Sequence, residues 1–184
     1  MTAPERRQAK ESCYGHFQIA RMRRAYTSVS GWHSELAGYE GFVAELRWGL
    51  NRLDSDARDR ADRAVLTAVL GGTLPVAAIR RLAELAPGGM AWVFAEATPE
   101  AFGFLVGKVE REGDDQLRIP RCRFVSTAGR RVCLEVCRTP TERYFGNLGI
   151  PLKMTPDMHS FECHWRYGSQ GSPKGAPEGA ADGG

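Results

Sequence analysis

The stretch from Cys122 to Gly168 opens on Cys122-Arg123-Phe124 and continues as Val132-Cys133-Leu134-Glu135-Val136-Cys137-Arg138. It then reads Gly146-Asn147-Leu148-Gly149-Ile150-Pro151-Leu152-Lys153-Met154-Thr155-Pro156 and closes on Phe161-Glu162-Cys163-His164-Trp165-Arg166-Tyr167-Gly168. All but one of the chain's 5 cysteines fall inside it. On a helix, the four-residue step from Cys133 to Cys137 puts both sulfurs on one face, one turn apart. Cys122 precedes that pair and Cys163 follows it, with His164 alongside. Thiols gathered in this way suit a tetrahedral iron or zinc site, or an iron–sulfur cluster, because soft thiolates select those metals. Simple packing competes with that reading, since free cysteines are often buried as small hydrophobes. No C-x-x-C pair of zinc-ribbon type is present. Disulfides fit poorly, because the cysteine count is odd and Met1 to Lys10 is polar without an apolar secretory core.

Upstream, periodicity predicts helices. Tyr14 to Val29 is a basic, mixed segment that Gly31 breaks. From Ser34 to Leu50, Leu36, Tyr39, Phe42, Val43, Leu46 and Leu50 recur at three- and four-residue steps, which makes one apolar stripe. Gly38 and Gly41 lower helix propensity there by about 1 kcal/mol each, so they point to close packing, a close ligand or a late helix start. A second helix spans about Asp56 to Leu70 along Ala61, Val65, Ala68 and Val69, and Gly71-Gly72 ends it. A third starts at Pro75 with Val76, Ile79, Leu82 and Ala86, and stops at Pro87-Gly88-Gly89. Met90 to Val106 is the most apolar run, with a break or kink expected at Thr98-Pro99-Glu100. Its aromatics read as core or as the lining of an apolar pocket.

Lys108 to Val125 reads as a hairpin turning at Gly113-Asp114-Asp115, with Pro120 making the second strand an edge or bulged one. Arg131 to Arg138 is a helix and Thr139-Pro140 begins another. Thr155-Pro156-Asp157 is a turn, and Phe161 to Tyr167 is a final strand or extended segment. The expected class is therefore α+β, mainly helical: helices packed with a short β-hairpin and a C-terminal cysteine-rich metal-binding region. Residues 1–168 form one domain, whose cysteine-rich part is 122–168. The Gly-, Pro- and Ala-rich residues 169–184 form a disordered tail.

Composition sets limits. The 184 residues suit one core-forming domain, and 42% hydrophobic with 26% charged residues is ordinary for a globular chain. A net charge of +3 with scattered arginines argues against nucleic acid as a partner. No run of about 18 apolar residues is present to span a membrane.

The cysteine-rich stretch resembles the C-terminal domain of the beta-carotene isomerase family, typified by the plant plastid enzyme of strigolactone biosynthesis. The resemblance rests on Cys122-Arg123-Phe124, Cys137-Arg138-Thr139-Pro140-Thr141, Tyr144-Phe145, Leu148 to Pro156, and Phe161-Glu162-Cys163 to Tyr167-Gly168. It extends upstream to Gly31-Trp32-His33-Ser34-Glu35 and Gly38-Tyr39-Glu40-Gly41-Phe42. One position departs: where the family has a further cysteine one turn before Cys133, this chain has Gly129.

The resemblance implies an iron-dependent cis/trans isomerase of a carotenoid or similar apolar polyene. Cys122, Cys133, Cys137 and Cys163 become the expected ligands of a single iron or an iron–sulfur cluster. His164 is second choice, as a ligand or as a donor to one; His159 and Glu162 are weaker. Twisting a double bond needs electron transfer, transient protonation or a radical, and thiolate-bound iron serves the first and third. Two other classes compete: a non-catalytic metal-stapled binding module, and a thiol hydrolase built on Cys163 or Cys137 with His164. No separate catalytic acid or base is evident, and Cys13 reads as incidental. The plastid relatives' targeting segment finds no counterpart, so the expected setting is the cytoplasm of a prokaryote. Because the substrate is apolar, the protein is expected either to take it from a partner or to make peripheral membrane contact through the aromatics from Trp92 to Phe104, with Trp48 and Trp165.

Overall fold

The computed structural model describes residues 3–70 and 76–168. The predicted helix ends at Gly71-Gly72, the start at Pro75, the side chain of Cys13 and the tail after Gly168 lie outside the described residues.

The apolar stripe does form a helix, but it starts late. Helix α2 runs Gly38–Arg52 and buries Tyr39, Phe42, Val43, Leu46 and Leu50. Residues 31–37 precede it without helical structure, and Leu36 is exposed rather than part of the stripe. Gly38 has a φ of 58°, a left-handed value that costs glycine little and marks where the loop turns into the helix. Gly41 answers the close-packing expectation. A Cβ there would stand 2.1 Å from the Leu36 carbonyl oxygen and 2.6 Å from the Arg23 guanidinium.

Helix α1 (Ala3–Ser30) packs against α2 and α3 (Ser55–Leu70), burying Ile19, Met22 and Tyr26 between them. Helix α4 (Val76–Leu85) leads into α5 (Pro87–Val106). Pro87 therefore opens α5 instead of ending α4, a position that does not need its missing N–H. Of the break or kink expected at Thr98-Pro99-Glu100, the break does not occur, and α5 runs through Pro99. Pro99 cannot donate a backbone bond. Beside it, the Thr98 hydroxyl bonds the Phe94 carbonyl at 2.6 Å and stands 2.7 Å from the Tyr167 hydroxyl, tying this part of α5 to the sheet.

The sheet is larger than a hairpin. Strands β1 (Glu110–Arg111), β2 (Gln116–Ile119), β3 (Leu152–Pro156) and β4 (Cys163–Tyr167) form one antiparallel sheet in the order β1-β2-β4-β3. The predicted hairpin is β1–β2, but β2 is interior, not an edge: Ile119 is opposite Cys163. Pro120 lies just past its end and withdraws no ladder donor. Strand β3 was hidden by Thr155-Pro156-Asp157. Pro156 closes the strand opposite Cys163, and the turn comes later, where the Asp157 N–H bonds the Glu162 carbonyl. On β4, Cys163, Trp165 and Tyr167 point into the core while His164 and Arg166 point out.

After β2, α6 (Arg123–Ala128) begins at Cys122 and ends at Gly129, whose φ of 86° turns the chain into α7 (Arg130–Val132). A π-helical stretch, Cys133–Arg138, follows, and then α8 (Thr139–Asn147). The two helices expected here are thus one unbroken helical run with a π insertion. Pro140 cannot donate a backbone bond. At the junction, the Thr139 N–H and hydroxyl both bond the Leu134 carbonyl five residues back. Such insertions occur frequently at functional sites.

Candidate functional site

The four sequence-selected cysteines converge from three elements. Cys122 sits at the start of α6, Cys133 and Cys137 bracket the π-helical stretch, and Cys163 opens β4. All are free thiols; Cys122, Cys133 and Cys163 are buried and Cys137 is half-buried. The fold brings them within one another's fields. Burial chiefly raises the pKa of each thiol, to about 11 for Cys133 and about 12 for Cys163. Cys137 is held well above the usual range, first by desolvation and then by Cys133, Cys122 and Cys163. Cys122 is also raised by burial, although the Val125 and Phe124 N–H groups oppose the shift. The Trp165 indole N–H donates to the Cys163 sulfur at 3.2 Å.

At neutral pH these groups are thiols, not thiolates. Among the described residues, no three His, Cys, Asp or Glu side chains form a group able to hold a metal ion. The chemistry of four sulfur donors suits iron, but their arrangement in this fold does not fit an ion. The metal-binding region expected from the sequence is therefore, in this structure, a cluster of buried thiols. His164 is placed away from them because strand alternation turns it outward; its Nδ1 lies 3.4 Å from Glu112. His159 is exposed in the turn after β3, and Glu162 pairs with Arg118.

Beside the thiols lies an apolar cavity. Cys137 and Val136 of the π-helical stretch, Phe102 of α5, Phe124 of α6 and Trp165 of β4 form one side of it. Helices α1, α2 and α3 close the other side with Met22, Phe42, Val65 and neighbouring apolar side chains. The Phe102 and Trp165 rings meet edge to face at 5.6 Å. The free space is about 40 Å³, far below the roughly 300–1,000 Å³ of a typical ligand site. Some of the aromatics from Met90 to Val106 thus line a cavity, but a small one.

The same cavity contains a carboxylic acid that the sequence reading passed over. Asp62, on α3, is 5% exposed and lines the cavity with Cys137 and Thr141. Burial first, and then the charge of Asp59, push its pKa up to about 7, against the pull of Arg58 and Arg143. A signal was present: Asp62 stands three and four residues before Val65 and Leu66, on the face that packs inward. Glu45, completely buried on α2, carries the same signature.

The expected membrane-facing aromatics divide. Trp165 and Phe102 are buried, and Trp48 stacks on Trp32 at 5.1 Å. Trp92 and Val93 are exposed near the start of α5, as are Leu82 and Leu85 of α4. No described helix is long and apolar enough to cross a membrane.

Residues 92–176 match the family model described as "Beta-carotene isomerase D27-like, C-terminal". No curated protein and no solved structure matches the chain. The matched stretch contains all four clustered cysteines and one wall of the cavity, whereas Asp62 comes from outside it.

Proposed function

We propose, from the beta-carotene isomerase D27-like C-terminal domain that this chain carries over residues 92–176, that it turns a double bond of a carotenoid or similar apolar polyene between cis and trans. The observation that carries this reading is the cavity, where aromatic side chains of the matched domain face the N-terminal helices across an apolar space. Such walls favour a hydrocarbon and exclude water, which a reactive polyene intermediate requires. With about 40 Å³ free, the walls must part to admit a segment of substrate. The exposed apolar side chains of Leu82, Leu85, Trp92 and Val93 support delivery from a bilayer, where such a substrate dissolves.

The hydrolase reading loses its base, since His164 faces Glu112 and the thiols hold their protons. Iron held by Cys122, Cys133, Cys137 and Cys163 is a separate proposal. The sulfur donors support it and the present arrangement does not, so no step is drawn through it.

The test is incubation of the purified full chain with carotenoids in anionic liposomes, followed by chromatography of the isomers. A shifted cis/trans ratio that depends on protein is expected. An unchanged ratio across several carotenoids, from protein that sediments with the liposomes, removes the isomerase assignment and leaves a binding module.

A further inference from the structure

Among the described residues that line the cavity, Asp62 is the single carboxylic acid, and it has a second exposure. Asp62 also lines an outer cleft of about 250 Å³, formed with Ser55, Arg58, Asp59, Glu135, Thr139, Pro140 and Arg143. One side chain thus borders both the small apolar space and a surface cleft ringed by charged side chains. We propose that Asp62 is the acid–base catalyst of this site, protonating the polyene from within the cavity and exchanging its proton with solvent through the outer cleft. The proposal rests on the isomerase reading and deepens it.

The step balances without oxidant or reductant. The O–H bond of Asp62 breaks and its electron pair remains on the carboxylate. A π pair of the polyene forms the new C–H bond, leaving a cation delocalised along the conjugated chain. In that cation the neighbouring double bond loses bond order and turns. The carboxylate then removes a proton from the same carbon, and the C–H pair restores the π bond. The walls suit the intermediate, because Phe102, Phe124 and Trp165 line the space and aromatic rings stabilise a cation that water would otherwise capture.

The surroundings leave the acid available. Arg58 pairs with Glu135 at 3.3 Å and Arg143 pairs with Asp59, so both nearby guanidiniums are turned to other carboxylates. Across the interface, Tyr26 of α1 and Cys137 both lie within the field of Asp62 and are themselves held protonated by burial. A carboxyl group with its pKa near 7 is present in both forms at neutral pH, as a residue that gives and retakes a proton must be.

The test measures carotenoid isomerisation in liposomes by wild type, Asp62→Asn and Asp62→Glu, with the thermal midpoint of each recorded, and compares wild-type rates in H2O and D2O. Asp62→Asn is expected to fold and to lose at least ~100-fold in rate, as loss of a general acid–base does, with partial recovery in Asp62→Glu. Wild type is expected to run several-fold slower in D2O. A folded Asp62→Asn that isomerises at the wild-type rate overturns the proposal and leaves the isomerase reading intact. A wild type with no isomerase activity overturns both. If Asp62→Asn does not fold, the solvent comparison decides: equal rates in H2O and D2O overturn the proposal.

Discussion

Glu45 Oε1 accepts two hydrogen bonds from the Arg23 guanidinium, from Nε at 3.0 Å and from Nη2 at 2.7 Å, with the carboxylate wholly buried. The same oxygen accepts the Ser34 N–H at 3.2 Å and lies 3.0 Å from His33 Nδ1, while Arg23 Nη2 also donates to the Ser34 carbonyl at 2.9 Å. One carboxylate therefore fastens the 31–37 loop to α1 and α2. Glu45→Gln leaves the Arg23 charge buried without its counter-ion and should cost on the order of 3–5 kcal/mol. Urea unfolding midpoints check this; a loss under about 1 kcal/mol would show that the loop is held by other contacts.

Asp62 should make stability depend on pH. Its pKa rises from 3.8 to about 7 on folding, so between those values the folded state binds more protons than the unfolded state. Stability therefore falls as pH rises through that window, by at most about 4 kcal/mol for a shift of this size. Asp62→Asn should flatten that slope and unfold at higher denaturant than wild type above pH 7. The same slope in both proteins would falsify the assignment of this titration to Asp62.

The thiols should be slow to react. Burial holds Cys122, Cys133 and Cys163 protonated at neutral pH, and the thiolate is the reactive species. Modification by a thiol-specific chromogenic reagent should run at least ~100-fold slower in folded than in denatured protein. Iron and sulfide analysis of anaerobically purified protein settles the metal proposal. Iron present in wild type and lost in each of Cys133→Ser, Cys137→Ser and Cys163→Ser is its expected outcome. Equal iron content in all variants would refute a shared site.

Gly129 stands where the family resemblance places a further cysteine. Its φ of 86° and ψ of 170° form a conformation that L-residues rarely adopt, although a Cβ there would meet nothing within 4 Å. Gly129→Cys should therefore destabilise the fold by about 1–3 kcal/mol through backbone strain alone. A Gly129→Cys protein as stable as wild type would mean that the α6–α7 turn readily rearranges.

Local pattern made much of the fold legible. The stripe of Tyr39, Phe42, Leu46 and Leu50 identified α2, because the helix period is a property of the chain itself. Four cysteines in family order marked the region where the thiols gather. Several features depended on non-local partners. Strand β3 needed β4 beside it before Leu152–Pro156 became more than a turn. Helix α5 passes Pro99 with Thr98 set against Tyr167, sixty-nine residues away. The inward turn of Cys163 was readable from strand period, but what its sulfur meets was not: a helix start, a π-helical stretch and a strand converge only after folding. The role of Asp62 is the clearest case. Its position on an apolar stripe is written in the sequence, but its raised pKa depends on what surrounds it. That environment exists only where α3 closes over the cavity walls of α5, β4 and the π-helical stretch, because desolvation is a property of the whole packed interior.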